Sequence, residues 1–115
     1  MFNVEEEIIK FLNNQGFETY ADVPNPRPDN DFLTVERTGG QDINVALDNP
    51  SIAVQCWSNS RYNASQLAYE VADVMEQLRN NSKMITRCRQ TSLYNFPYED
   101  IPRYQIIFDV VNYKK

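Results

Sequence analysis

The sequence predicts an α+β fold, with an antiparallel or mixed β-sheet of four to five strands and two helices packed on one face. Two segments carry apolar residues at the three- and four-residue spacing of amphipathic helices, and at least four others resemble strands. Their order along the chain is helix, strand, strand, helix, strand, strand. A length of 115 residues suits a single domain, so we assign residues 1–115 to one folding unit.

The first helix has a clear beginning and end. Asn3 can cap its first turn, and Glu6 completes a capping-box pattern. Gly16 is typical of the residue that follows a helix. The apolar stripe consists of Val4, Ile8, Phe11 and Leu12. Because carboxylates are favoured at the positive end of the helix dipole, we interpret the acidic run at residues 5–7 as helix-start chemistry and not as a binding tail.

The segment after this helix predicts strands and an extended connector. Residues 17–23 are partly aromatic and β-branched, which is compatible with an edge strand. Prolines at 24, 26 and 28 exclude a helix or a central strand there and favour an extended connector. Residues 32–37 then predict a strand.

Residues 39–50 allow two interpretations. Two glycines at the start and Asn-Pro at the end are turn residues, which favours a long polar loop of the functional or mobile kind. The apolar residues of the segment alternate, which also permits a hairpin arm: Ile43, Val45 and Leu47. In either case Asp42 and Asp48 can pair with Arg37 or with a neighbouring chain.

The middle of the chain combines the strongest strand with the second helix. Residues 52–57 predict a central strand, because apolar residues occur on both faces, and Trp57 is expected in the core. Three residues are candidate helix caps: Ser58, Ser60 and Asn63. The apolar stripe of this helix is Ala64, Leu67, Ala68, Val71, Val74, Met75 and Leu78.

Two further strands are predicted at residues 83–93 and 103–113, joined by an aromatic, proline-containing loop that favours an antiparallel pair. In the first of these strands we expect Ile85 and Arg87 on one face and Cys88 on the other. Arg87 and Arg89 are expected to point the same way, either as a solvated surface or as a local anion patch.

Composition excludes several classes of function. The chain has no His, so Ser-His-Asp and Cys-His catalysis and His-containing zinc sites cannot be built. Its net charge of −5 argues against duplex-DNA binding through phosphate neutralisation. No apolar run is long enough for a membrane helix, and the acidic start differs from a signal peptide, so we expect a cytoplasmic protein. Cys56 and Cys88 are expected to be core residues.

Three features of the first 80 residues occur together. An amphipathic helix leads to the proline-rich stretch VPNPRP at 23–28. A strand that ends in VERTGG at 35–40 is followed by a polar segment to LDNP at 47–50. A strand IAVQCWS at 52–58 continues through Ser60 and Arg61 into the second helix. In this combination the chain resembles the tail terminator proteins, also called tail completion or minor tail proteins, of long-tailed bacteriophages and prophages.

The resemblance implies a structural virion protein and not an enzyme. Such proteins form rings, typically hexamers, that cap the head-proximal end of the tail tube, end tail polymerisation and present the head-tail joining surface. The implied partners are further copies of the chain, the tail-tube protein and a head-tail connector protein. No cofactor, membrane or specific nucleic acid is implied. The implied location is the virion tail, and the host cytoplasm during assembly. A head-tail connector of similar size, or a small non-viral interaction module, is the alternative.

If the chain forms such a ring, residues 39–50 are the segment we expect to reach a neighbouring subunit or the tail tube, and Arg61 is a further charged candidate. Each charged candidate also has an ordinary interpretation as a solvated surface residue. The candidate interface residues are Arg37, Gly39, Gly40, Asp42, Ile43, Val45, Leu47, Asp48 and Arg61.

Overall fold

The computed structural model describes residues 1–115 and contains two helices and one five-stranded mixed sheet, which confirms the predicted α+β fold. The helices are α1, Val4–Asn14, and α2, Arg61–Met75, which is followed by a short 3-10 turn, Arg79–Asn81. The strands are β1, Thr19–Tyr20; β2, Phe32–Asp42; β3, Leu47–Trp57; β4, Ile85–Asn95; and β5, Arg103–Tyr113.

The strands lie in the order β1-β2-β3-β5-β4. β1 is parallel to β2, and every other neighbouring pair is antiparallel. β3 is central, as expected, whereas β1 and β4 form the two edges. The edge-strand prediction for residues 17–23 is confirmed only for Thr19 and Tyr20.

Both helices pack on the same face of the sheet, over a core of 18 buried residues. The side chain of Asn3 accepts a hydrogen bond from the Glu6 amide at 3.0 Å, and Ser60 caps α2 in the same way. Gly16 follows α1 with φ +97°, as expected for a residue just beyond a helix. α2 ends at Met75, earlier than its apolar stripe suggested, but Leu78 remains fully buried in the turn that follows.

The alternation predicted for β4 is wrong. Ile85 is buried and Cys88 packs against the same core, whereas Arg87 is exposed and bonds to Asp109 on the opposite face. A register shift lies between Ile85 and Arg87, so that Thr86 is an extra residue in the ladder with β5. Because a side chain changes face with every residue, one extra residue reverses the alternation, until a second register shift between Gln90 and Ser92 restores it.

Residues 39–50 form a hairpin and not a long loop, so the second interpretation of this segment is confirmed. β2 continues to Asp42 and β3 begins at Leu47, with only four residues between them. The two strands stay paired from Gly39 opposite Ser51 to Asp42 opposite Asp48. We call residues 39–50 the hairpin arm.

Pro50 lies in the central strand, where proline is normally excluded because it has no N–H to donate. The ladder between β3 and β5 is interrupted at residues 49 and 50. The side-chain amide of Asn49 donates to the Val110 carbonyl at 2.6 Å. This bond replaces the one that a backbone N–H at position 50 would make, so the carbonyl of β5 keeps a donor.

Both cysteines are free, and the prediction that they are core residues is confirmed. Cys56 is fully buried, and Cys88 packs against the core from β4. Burial raises the pKa of both thiols, that of Cys88 to about 12, so neither is a reactive thiolate near neutral pH. No helix has the length and apolar character that a membrane crossing requires.

Candidate subunit interface

The hairpin arm is anchored by an ion pair across its base. Arg37 donates from Nη1 and Nη2 to the two carboxylate oxygens of Asp48, at 2.7 and 3.1 Å, and from Nε to the Gly39 carbonyl at 2.8 Å. The Arg37 amide donates to Glu5 of α1 at 3.1 Å. The bond from Arg37 lowers the pKa of Asp48, and the same bond raises the pKa of Arg37. The expected pairing of Arg37 with Asp48 is therefore confirmed within one chain.

Gly40 allows the two strands of the arm to approach closely. Its φ is +94°, and a Cβ built on it would lie 2.2 Å from the Asn49 carbonyl oxygen and 2.6 Å from the Pro50 Cα. Any other residue would therefore force the opposite strand away. At Gly39 the space is open. Of the two glycines expected at the interface, Gly40 thus has a structural role inside the arm.

The turn of the arm presents apolar side chains to solvent. Val45 is 93% exposed and Ile43 is 51% exposed, whereas Leu47 is partly covered. Asn44 holds the turn, since its side-chain oxygen accepts from the amides of Ala46 and Leu47 at 2.8 and 2.9 Å. The structure therefore displays an ordered apolar knob, which we call the hairpin tip, residues 43–46.

The C-terminal end of the chain supports the hairpin tip. The Lys114 amide donates to the Ala46 carbonyl at 3.0 Å, and its side chain pairs with Asp42 at 3.1 Å. Asp42 thus forms its ion pair with Lys114 of the same chain, whereas Arg37 forms its ion pair with Asp48.

Arg61 is far from the other candidate residues. It begins α2 just after β3 ends, whereas the hairpin tip precedes the start of β3. The ten residue steps of β3 separate the two ends by about 33 Å. The structure therefore brings together eight of the nine predicted residues and leaves Arg61 at the opposite end of the sheet.

A polar network that the sequence analysis missed lies on the face of the sheet without helices, which we call the open face. Trp57 Nε1 donates to Thr34 Oγ1 at 3.0 Å, and Thr34 donates to Gln55 Oε1 at 2.8 Å. Gln55 donates to Gln105 Oε1 at 2.6 Å, and Gln105 donates to the Tyr94 hydroxyl at 2.5 Å. This chain of bonds links β2, β3, β5 and β4. Its hydrogen-bonded partners are 11 to 50 residues apart in sequence, so no local pattern could have indicated it.

An aromatic cluster closes one end of the open face. The Arg103 guanidinium lies 4.9 Å from the ring centroid of Trp57, 4.8 Å from that of Phe96 and 5.6 Å from that of Tyr98. The Trp57 ring stacks on Phe32 at 5.4 Å. Burial lowers the pKa of Arg103. Trp57 is buried, as expected, but among these groups and not among the helix-facing residues.

Arg87 and Arg89 point the same way, as expected, and both face Asp109 on the open face. The Arg87–Asp109 distance is 2.5 Å and the Arg89–Asp109 distance is 3.8 Å. Asn49 also donates to Asp109, and this bond is the largest cause of the lowered pKa of that carboxyl, ahead of Arg87. Two arginines thus share one carboxylate, which leaves one positive charge uncompensated. Of the two arginines, Arg89 is the more exposed.

The surface is otherwise shallow. A groove of about 320 Å³ lies between the end of α1, the start of β2 and α2. No group of three or more His, Cys, Asp or Glu residues is arranged to hold a metal ion. The arrangement as a whole offers contact surfaces: an apolar knob, a polar sheet face and two exposed edges.

No protein-family model matches the chain, and a search of curated proteins finds no match to it.

Proposed function

We propose that the protein is a structural component of a phage or prophage tail, which caps the head-proximal end of the tail tube as a ring and thereby ends tail polymerisation. The hairpin arm carries this proposal. Its tip exposes Val45 almost completely, and its base is fixed by the Arg37–Asp48 pair and by the close contact at Gly40. The Val45 side chain at the tip of this knob is left almost uncovered by its own chain, and exposed apolar surface marks sites of protein association.

Two further observations support the proposal. The sequence resemblance to tail terminators covers about residues 1 to 80, including the arm. The net charge of −5 gives a ring of six copies a charge of about −30, which favours passage of DNA over binding to it. A non-enzymatic role and partners among the tail and head-joining proteins follow from the same proposal.

The test combines the protein with the tail-tube protein of the phage or prophage that encodes it. We expect wild-type protein to bind one end of each tube, to limit tube length in electron micrographs and to form a closed ring of about six copies by native mass spectrometry. The double variant Ile43→Ser with Val45→Ser should fold normally but lose capping, because it removes the knob and leaves the arm.

The matched control is Tyr62→Ser with Tyr69→Ser, which removes two exposed aromatic side chains from α2. Control protein should cap as wild type does. Normal capping by the tip variant would show that the arm is not the contact. Wild-type protein that neither binds tube ends nor limits their length would overturn the proposed function.

A further inference from the structure

The end of the molecule opposite the hairpin tip carries the 320 Å³ groove. It is bounded by the segment that follows α1, by residues 30 and 31 before β2, and by the middle of α2. The start of β2, Phe32, and the tip at the other end of that strand are about 33 Å apart. We call this depression the loop-end groove.

The loop-end groove combines an apolar floor with an acidic rim. Phe17 provides partly exposed apolar surface, and Leu33 and Leu67, which are 0% and 8% exposed, line the groove behind it. The rim carboxylates are Glu18, Asp31 and Glu70, and no lysine or arginine lines the groove. None of the three forms an ion pair, since Glu18 bonds to Tyr20 and Asn30 and Asp31 bonds to Ser58. The groove therefore suits an apolar group that is accompanied by positive charge.

The hairpin tip has the complementary chemistry. Ile43 and Val45 are exposed and apolar, and the four residues of the tip carry no charge. Lys114 lies directly against the tip, through its bond to Ala46, and Lys115 follows it in an exposed position. Asp42 neutralises only one of these two lysines.

We propose that the hairpin tip of one copy docks into the loop-end groove of a second copy. The knob and the groove lie at opposite ends of the same molecule, so each copy can donate one and receive the other. Such head-to-tail contacts close into a ring or continue as a filament, depending on the rotation between copies. The contact between two copies does not depend on the proposed function. Only the closure of such contacts into a ring rests on it.

Disulfide trapping between two differently tagged copies tests the contact. One copy carries Val45→Cys and the other carries Glu70→Cys. The native thiols do not compete, because Cys56 is fully buried and Cys88 largely so. After mild oxidation of a concentrated mixture, we expect the mixed disulfide on non-reducing gels at a yield at least about tenfold above that of the control, because docking raises the local thiol concentration.

The control pair is Val45→Cys with Arg89→Cys, which places the second thiol on the open face at a position that is exposed, as Glu70 is. Equal yields for the two pairs overturn the proposal. A charge test is independent of trapping: Glu70→Lys should weaken self-association measured by sedimentation, and addition of Lys115→Glu should restore part of it. Failure of Glu70→Lys to change association also overturns the proposal.

The outcomes separate this contact from the proposed function. A ring without the Val45–Glu70 disulfide leaves the capping function standing and rejects the contact. Efficient trapping together with uncapped tail tubes supports the contact and rejects the function. For six copies joined end to end along the 42 Å axis, imaging should show a ring about 80 Å in mean diameter.

Discussion

The two faces of the sheet are buried by different means. The helix face is covered by α1 and α2 and is mainly apolar, with Ile52, Val54 and Cys56 of β3 fully buried. The open face has no helix, yet Gln55 and Trp57 of the same strand are only 4% exposed. There, hydrogen bonds between four strands and stacked rings replace a packed layer. The comparison teaches that burial on the open face depends on specific partners, whereas burial on the helix face depends on apolar area.

Substitutions of the neighbouring residues Ile106 and Ile107 of β5 allow a direct comparison of the stability that each face contributes. Ile106 is fully buried on the helix face, and Ile107 is partly exposed on the open face. Ile106→Ala should lower the free energy of unfolding by about 2–5 kcal/mol, because it leaves a cavity in a packed core. Ile107→Ala should cost about 1 kcal/mol, because less apolar surface is lost. Urea unfolding measures both, and equal costs would contradict the difference between the faces.

Gln55 tests whether the open face depends on its hydrogen bonds. Gln55→Ala removes the central member of the network, so that the Thr34 hydroxyl loses its acceptor and Gln105 Oε1 loses its donor. We expect a loss of about 1–3 kcal/mol in the free energy of unfolding, since unpaired buried polar groups are costly. Gln90→Ala, at an exposed position of β4, should change stability by less than about 0.5 kcal/mol. If Gln55→Ala is as mild as this control, the network does not stabilise the face.

Arg103 tests the aromatic end of the open face. Arg103→Ala removes a guanidinium that contacts three rings and donates to the Phe96 carbonyl. The expected cost is about 1 kcal/mol, the usual size of a partly exposed cation–π contact. Arg89→Ala, which removes a largely exposed arginine on the same face, should have almost no effect on the melting temperature. A larger shift for Arg89→Ala than for Arg103→Ala would reverse this ranking.

Acid titration compares one carboxylate from each face and should give the smallest effect. The pKa values of Asp48 and Asp109 are lowered, so each stabilises the fold above the unfolded-state value of about 3.9 and loses that contribution as the pH falls through its folded pKa. Each contribution should be below about 1 kcal/mol, because both pairs are partly exposed. Asp48→Asn and Asp109→Asn should therefore be destabilising at about pH 7 and nearly neutral at about pH 2. An unchanged deficit at low pH would refute the assignment.

The helix face was predictable from the sequence, and the open face was not. The stripes of α1 and α2 and the alternation of β5 are local periodic signals, and residues such as Leu12, Val71 and Phe108 are buried as those signals predict. The partners of Gln55 come from other strands, so no spacing could reveal them. The extra residue Thr86 reverses the faces of β4 as far as the second register shift, between Gln90 and Ser92. It could not be predicted, because an extra residue in a ladder leaves no mark in composition.

The candidate interface was predictable in part, for the same reason. The alternation of Ile43 and Val45 indicated an arm, but the glycines and Pro50 obscured the strands on either side. The loop-end groove combines residues from α1, β2 and α2, which only the fold brings together. Arg61 was included only as a further charged candidate, and because it follows β3, whereas the tip precedes that strand, it lies at the opposite end of the sheet.

The replacement of a backbone donor by Asn49 has a consequence for how this sequence can vary through evolution. Pro50 is acceptable in the central strand only while position 49 supplies an amide that reaches the Val110 carbonyl. If Asn49 is replaced while Pro50 is kept, the Val110 carbonyl loses its donor. If position 50 is not proline, its backbone N–H can donate instead, and Asn49 can be replaced without that loss. In descendants and relatives of this chain, the two neighbouring positions should therefore be inherited as a pair and change together.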